Sequence, residues 1–345
     1  MIERPEKLYE RTLPLYGVEC FGTALVDPGS FARASGLAPA PALVQYRDEA
    51  WFVTEHWASL LRYRLAAQAP AWIMQYLKHT QARVAKRIKS AQTVGSTEIL
   101  VHELCDIYGA LAVPVCVGEL LFHITEERVR SMLTHVGVSP TDHAQWLALF
   151  AYPKQETAVM RERRAFLDMA AFARTHSLDR ASRSKISRYL KEYGALGRLS
   201  PLGRPFAFKD FMARAAQLEG EPKDVSLRET RGRVGVSRRV EGFMDNTGLQ
   251  AVDRDAIRAL QESATWRLRG RELWVELEEF QESIGKEIAK RTKFPEHLLW
   301  HLRPVELSAL IHDPASTPSV EDVETRRKKH LEVTFVEHMV HVSWT

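Results

Sequence analysis

The chain has 345 residues, 45% of them hydrophobic and 27% charged, with a formal net charge of +4. That is long enough to bury a substantial core, as one large or two moderate domains, and too apolar for wholesale disorder. No uninterrupted apolar run approaches the roughly 20 residues of a membrane-spanning helix.

The N-terminus, Met1-Ile-Glu-Arg-Pro-Glu-Lys7, is charged where a signal peptide would be apolar. Residues 1–42 hold a short apolar segment, Leu13 to Val26, and then become rich in Pro and Gly. From Leu43 to Val53, β-formers flank a polar Arg47-Asp48-Glu49 tip, which predicts a hairpin. Thr54 caps the helix that follows. Beyond Pro70, Trp72, Ile73, Tyr76, Leu77, Val84 and Ile88 recur at three- and four-residue steps, a helical stripe with the basic residues mostly off it. Gly95-Ser96 breaks the stripe. Ser96 or Thr97 caps a helix through Leu111, and Pro114 and Gly118 interrupt the apolar run that resumes at Glu119. Thr125-Glu-Glu-Arg128 and Ser139-Pro140 read as further helix starts. Helices are predicted at 154–175, 179–193, 205–218, 253–289, 294–301 and 304–311. Loops are predicted at Leu199 to Pro205, Gly220 to Pro222 and Arg231 to Gly248. The last residues alternate (Leu331, Val333, Phe335, then Val340, Val342, Trp344) around a Glu337-His338 tip, a second hairpin. The expected fold is mainly α, a multi-helix array with one small hairpin near each end. It divides into residues 1–150 (hairpin plus helical subdomain) and 151–345 (basic helical subdomain ending in a hairpin), or forms one continuous helical domain.

Charge is unevenly spread. Residues 161–239 carry 19 Lys and Arg against 9 Asp and Glu, which leaves the rest of the chain net acidic by six. A basic middle suits a local anionic partner, and a solvated basic face is the alternative. Cys20, Cys105 and Cys116, an odd number without CxxC spacing, predict reduced, mostly buried thiols and a cytoplasmic protein.

Most catalytic signatures are absent. No GxxxxGK[ST] loop occurs, and no GxGxxG links a strand to a helix; Gly232-Arg-Val-Gly235 lacks that setting and reads as a basic loop. His297 and His301, four apart, could share a metal, but no third ligand or general-base Glu accompanies them, so no metal site is assigned. Cys105, with His102 and Asp106 in the same turn, reads as core before nucleophile. Glu98, Glu103 and Glu119 lie in or beside apolar sequence, where a carboxylate needs an ion pair or a cavity.

The C-terminal third carries a resemblance. Thr265-Trp-Arg-Leu-Arg-Gly-Arg-Glu272 opens a long amphipathic stretch. Phe294-Pro-Glu-His-Leu-Leu-Trp-His-Leu-Arg-Pro-Val-Glu-Leu307 follows, then Val323-Glu-Thr-Arg-Arg-Lys-Lys329 and the hairpin. This order resembles the region before the phosphohistidine domain of phosphoenolpyruvate synthase-like proteins, and Tyr189-Leu-Lys-Glu-Tyr-Gly194 with Pro205 to Phe211 resembles the middle of the same family. In outline the likeness spans the whole chain. Complete members add an ATP-grasp domain and a swivelling domain with a relay histidine in a Gly-rich loop, and this sequence matches neither. In rifampin phosphotransferase-like relatives a helical module between those domains binds the phosphoryl acceptor. The resemblance therefore implies an acceptor-binding or docking module, with no cofactor of its own, acting with a small-molecule acceptor and with separate ATP-grasp and phosphohistidine-domain proteins. Whether it counts as an enzyme is left open. Tyr76, His102, Glu119, Tyr189, Arg267 and Arg271 are the residues expected around the acceptor. Arg267 and Arg271, four apart on one helix face, form an anion clamp or pair with Glu272 and Glu276. A non-catalytic protein-interaction scaffold is the main alternative. Nucleic-acid binding through 228–239 ranks below it, because aromatic residues are not interleaved with the basic ones.

Overall fold

The computed structural model describes residues 5–10, 13, 15–27, 41–67, 70–91, 96–153, 155–175, 180–199, 204–313, 317–329, 331–336 and 339–344. Helices dominate: α1 (Leu15–Val26), α2 (Glu55–Ala67), α3 (Pro70–Ala91), α4 (Thr97–His135), α5 (His143–Phe150), α6 (Ala158–Thr175), α7 (Arg180–Tyr193), α8 (Phe208–Ala216), α9 (Pro222–Asn246), α10 (Ala251–Thr292), α11 (Glu296–Leu299), α12 (Pro304–His312) and α13 (Val320–Lys328). Strands β1 (Pro5–Glu10), β2 (Leu43–Arg47), β3 (Ala50–Thr54), β4 (Leu331–Val336) and β5 (Met339–Trp344) form an antiparallel sheet in the order β1-β3-β2-β4-β5. The mainly α class and both hairpins are as the sequence predicts; β1 is an additional strand. The Glu337-His338 tip lies outside the described residues.

Local chemistry explains the first hairpin. Asp48 and Glu49 both have positive φ, 50° and 58°, the twist that lets a two-residue turn join strongly twisted strands. Across it, Tyr46 faces Trp51 and Val44 faces Val53. β4 then pairs with β2, Val44 opposite Phe335, so the two hairpins share one sheet. Helix α1 covers that sheet. Trp51, fully buried, has its ring centroid 4.8 Å from Phe21 and 5.0 Å from Tyr46. Gly22 is required at this crossing, since a Cβ there would meet the Phe335 ring at 2.2 Å.

The chain divides into two compact units: residues 1–124 with 276–345, and residues 125–275. These differ from the expected halves because pairing of β2 with β4 gathers both chain ends into one unit. Helices α4 and α10 each contribute to both units.

Two sequence expectations fail in instructive ways. Helix α4 runs unbroken through Pro114, although proline in a helix interior costs roughly 3 kcal/mol. Buried Leu104, Ile107, Tyr108, Leu111, Cys116, Val117 and Leu120 flank it, and each full aliphatic burial returns about 1.5–3 kcal/mol. Thr125 accordingly lies inside the helix and starts none. Averaged over its most apolar stretch, α4 is long and apolar enough to cross a membrane, though 71% of that stretch is buried within the fold. Helix α9 occupies the expected loop at 231–248. Gly232, Gly235 and Gly242 weaken it by about 1 kcal/mol each, and burial of Val225, Val240 and Phe243 overrides them. The Phe243 ring lies tilted against Trp146, centroids 4.4 Å apart.

Within the unit formed by 125–275, Phe166, Leu167, Ala170, Ile186, Tyr189, Phe211 and Val225 make a continuous core drawn from α6, α7, α8 and α9.

Candidate functional site

A cleft of about 290 Å³ opens in the same unit, where the segment leading into α6 meets one face of α10. Gln155, Glu156, Thr157 and Arg161 line one side; Thr265, Trp266, Arg269 and Glu272 line the other. The α10 residues are spaced three and four apart and so share a helical face. On the α6 side Thr157 sits at the cap position, where its hydroxyl accepts a hydrogen bond from the Met160 backbone N–H at 3.2 Å and satisfies one of the donors a helix start leaves open.

The electrostatic centre is Glu272, 4% exposed. Its carboxylate accepts a hydrogen bond from the Ala158 backbone N–H and another, at 2.8 Å, from Arg269. A buried carboxylate needs such partners. Across the cleft the exposed Arg161 donates to the Glu156 carbonyl at 3.2 Å, and Glu156 is paired with Arg164 and, at 3.7 Å, with Arg233. Two guanidinium groups, an indole and two threonine hydroxyls thus surround a space near the lower end for small-molecule pockets. Guanidinium is suited to planar anions, and indole to flat apolar groups. Among the described residues the lining is Gln, Glu, Thr, Arg and Trp, a set suited to binding and charge stabilisation.

Of the six residues expected around an acceptor, none of the five whose side chains are described lines this cleft. Tyr76 belongs to α3, and its side chain lies outside the described residues. His102 is exposed on α4, while Glu119 is buried in the same helix. Tyr189 is part of the solid core. Its hydroxyl donates to Glu162, to which Arg214 donates at 2.7 Å, and the Arg214 guanidinium lies 4.2 Å from the Phe166 ring and 4.4 Å from the Phe206 ring. Burial, reinforced by Glu162, pushes the Tyr189 phenol up. Arg267 and Arg271 are half-buried on α10, at positions rotated away from the Thr265, Arg269 and Glu272 face. Glu272, expected opposite those two, pairs instead with Arg269.

The other sequence candidates find structural partners. Arg87 of α3 bridges Glu103 at 2.8 Å and Asp106 at 2.6 Å, and its guanidinium holds the Glu103 carboxyl below its ordinary value. His301 is half-buried, and desolvation, then Arg327 and His297, lowers its pKa. Among the described residues no three His, Cys, Asp or Glu side chains converge as a metal site would require. Residues 155–157, Trp266 and Arg269 are not singled out by the sequence, and Glu272 stands there only as an ion-pair partner. Their one visible signal was the three-residue step from Trp266 to Arg269 to Glu272, inside a stretch whose other arginines drew attention.

Comparison of the chain with protein-family models, with curated protein sequences and with solved structures finds no match.

Proposed function

We propose that the chain is a small-molecule-binding module of the acceptor-binding or docking kind found in phosphoenolpyruvate-utilising phosphotransferases. In this reading it works with separate catalytic partners, and its ligand occupies the cleft between Thr157 and Trp266. The observation that carries the reading is the cleft itself: a built, arginine-flanked space with an aromatic wall and a buried, fully engaged carboxylate at its base. Transfer chemistry depends on positioning and electrostatics, so a module can serve it by holding the acceptor without supplying a reacting group.

The test is a ligand-detected NMR screen of small phosphate-, carboxylate- and amide-bearing aromatic compounds. Hits are followed by tryptophan fluorescence in the unaltered protein, W266F and R161A. Compounds whose binding weakens at least tenfold in R161A, and whose fluorescence response disappears in W266F, support the reading. A library in which every hit is indifferent to both changes removes it. R269A is less suitable as the primary variant, because it also strips Glu272 of its charged partner.

A protein-interaction scaffold is the second reading, favoured by one face of α9. There Lys223, Leu227, Arg231, Val234 and Arg238 are all exposed along four turns. It takes first place if the screen fails.

A further inference from the structure

Helices α1 and α4 cross unusually closely. The Tyr16 hydroxyl of α1 donates to the Val101 carbonyl of α4 at 2.8 Å. Two turns on, a Cβ built on Gly109 would lie 3.1 Å from the Ala24 Cβ and 3.9 Å from the Cys20 carbonyl oxygen. A Cβ on Gly17 would meet the Tyr108 ring at 3.2 Å. The register therefore pairs residue 16 with 101 and residue 24 with 109, and the midpoint of that ladder is Cys20 opposite Cys105. The two thiols sense each other across it, Cys105 helping to raise the Cys20 thiol and Cys20 lowering the Cys105 thiol. Disulfides require Cβ atoms about 3.5–4.5 Å apart, and one turn along this crossing the Gly109 and Ala24 positions approach within 3.1 Å.

We propose that Cys20 and Cys105 are a redox pair, oxidised by hydroperoxides to a reversible disulfide that locks α1 onto α4. Cys105 is the half-buried member and Cys20 the buried one. The Cys20 thiol donates to Cys105, which lowers the Cys105 thiol and marks its thiolate as the attacking species. The Cys105 thiolate attacks one peroxide oxygen and breaks the O–O bond. The other oxygen leaves as alkoxide, or as hydroxide from hydrogen peroxide, and takes up a proton; Cys105 becomes a sulfenic acid. The Cys20 sulfur then attacks the Cys105 sulfur, and the expelled hydroxide leaves as water with the Cys20 proton. Two thiols lose two electrons, and the peroxide gains them. Cys116, fully buried one turn before Glu119, has its thiol pushed up by burial and takes no part.

The bond would close a loop of about 85 residues, and in the chain-entropy account a cross-link restricts the unfolded chain more as its loop lengthens. Oxidised protein should therefore unfold at higher denaturant than reduced protein.

The experiment is stepwise addition of hydrogen peroxide to the full chain, followed by denaturation, maleimide labelling and peptide mapping without reductant. The expected result is loss of two of three reactive thiols, a cross-linked peptide joining Cys20 to Cys105, an unlabelled-to-labelled change fully reversed by dithiothreitol, and Cys116 still reactive. C105S should slow thiol loss at least tenfold, and C20S should leave Cys105 as a sulfenic acid trapped by dimedone. Accumulation of dimedone-reactive Cys105 in the unaltered protein without the cross-linked peptide would overturn the proposal, as would a cross-link involving Cys116. If either serine variant fails to fold, equilibrating the unaltered protein in glutathione buffers decides the matter through the cross-linked fraction alone. The pair is rejected if that fraction stays at background in the most oxidising buffer.

Discussion

Glu162 and Glu272 are both almost fully buried in the unit formed by 125–275, and each is held by an arginine. They differ in what surrounds the pair. Around Glu162, Tyr189 donates a second hydrogen bond, and Arg214 is sandwiched between the Phe166 and Phe206 rings. Arg214 is 26% exposed, and the carboxylate it holds is almost wholly enclosed. Around Glu272 the second donor is a backbone N–H, Arg269 is 41% exposed, and beside them lies open space walled by Trp266. A polar side chain in apolar sequence therefore does not announce a cavity. The ion pair answers the desolvation problem equally well in both places, and only the neighbouring volume separates a core from a site.

Removing the arginine tests that distinction most directly. R214A strands Glu162 in a closed core, and breaking a buried pair by deleting one partner costs about 3–5 kcal/mol. R269A leaves Glu272 with its Ala158 N–H and with a cleft through which water reaches it. Its expected cost is about 1.5–3 kcal/mol, the range for a hydrogen bond to a charged group. Urea unfolding of the two variants measures both. Equal losses would mean that the cleft is as sealed as the core, and the binding reading would lose its physical basis.

The same contrast between filled and open space governs the glycines. At Gly22 a methyl group would overlap the Phe335 ring, so G22A should cost at least the 1–3 kcal/mol typical of overpacking. At Gly235, in α9, nothing lies within 4 Å of an added Cβ. G235A should stabilise by about 0.5–1 kcal/mol, the helix-propensity difference between the two residues. Thermal or urea midpoints shifting in opposite directions confirm the assignment; a destabilised G235A would mean that α9 is not helical there in solution.

These cases also mark what the sequence made legible. Alternation at 43–53 and 331–344 and three-four spacing elsewhere are local signals, and both kinds predicted their elements. Pairing of β2 with β4 joins segments far apart in the chain, with no local trace at either partner, so the discontinuous unit stayed hidden. Pro114 and Gly232, Gly235 and Gly242 carry strong local signals of the wrong sign, overridden by burial that only tertiary packing reveals. For the site, Tyr189 enters through the resemblance alone, and its place beside Glu162 and Arg214 in a packed core has no local signal in the sequence. Trp266 and Arg269 were passed over because their significance comes from residues 155–161, which reach them across a hundred positions of sequence.

A third carboxylate, half-buried beside an arginine that is 43% exposed, completes the comparison and gives the smallest expected effect. Asp210, in the first turn of α8, accepts two hydrogen bonds from Arg204, at 2.7 and 2.9 Å, and one from the Ala207 backbone N–H at 2.7 Å. Every one of these favours the charged form, Arg204 most of all, and the carboxyl is lowered to about 2. A depressed folded-state value means that the stabilisation is fully present above the unfolded-state value near 3.8 and is lost as pH falls through about 2. Carbon-detected NMR titration of the Asp210 carboxyl should find its midpoint near the lower value in the unaltered protein. R204A should move that midpoint up toward 3.8, and only part of the way, because the Ala207 N–H remains. Glu162 and Glu272 serve as internal controls in the same spectra, since neither touches Arg204. A midpoint unchanged by R204A would mean that water had displaced the arginine, and that geometry alone does not hold a pair with a solvent-facing arginine the way it holds the two buried carboxylates.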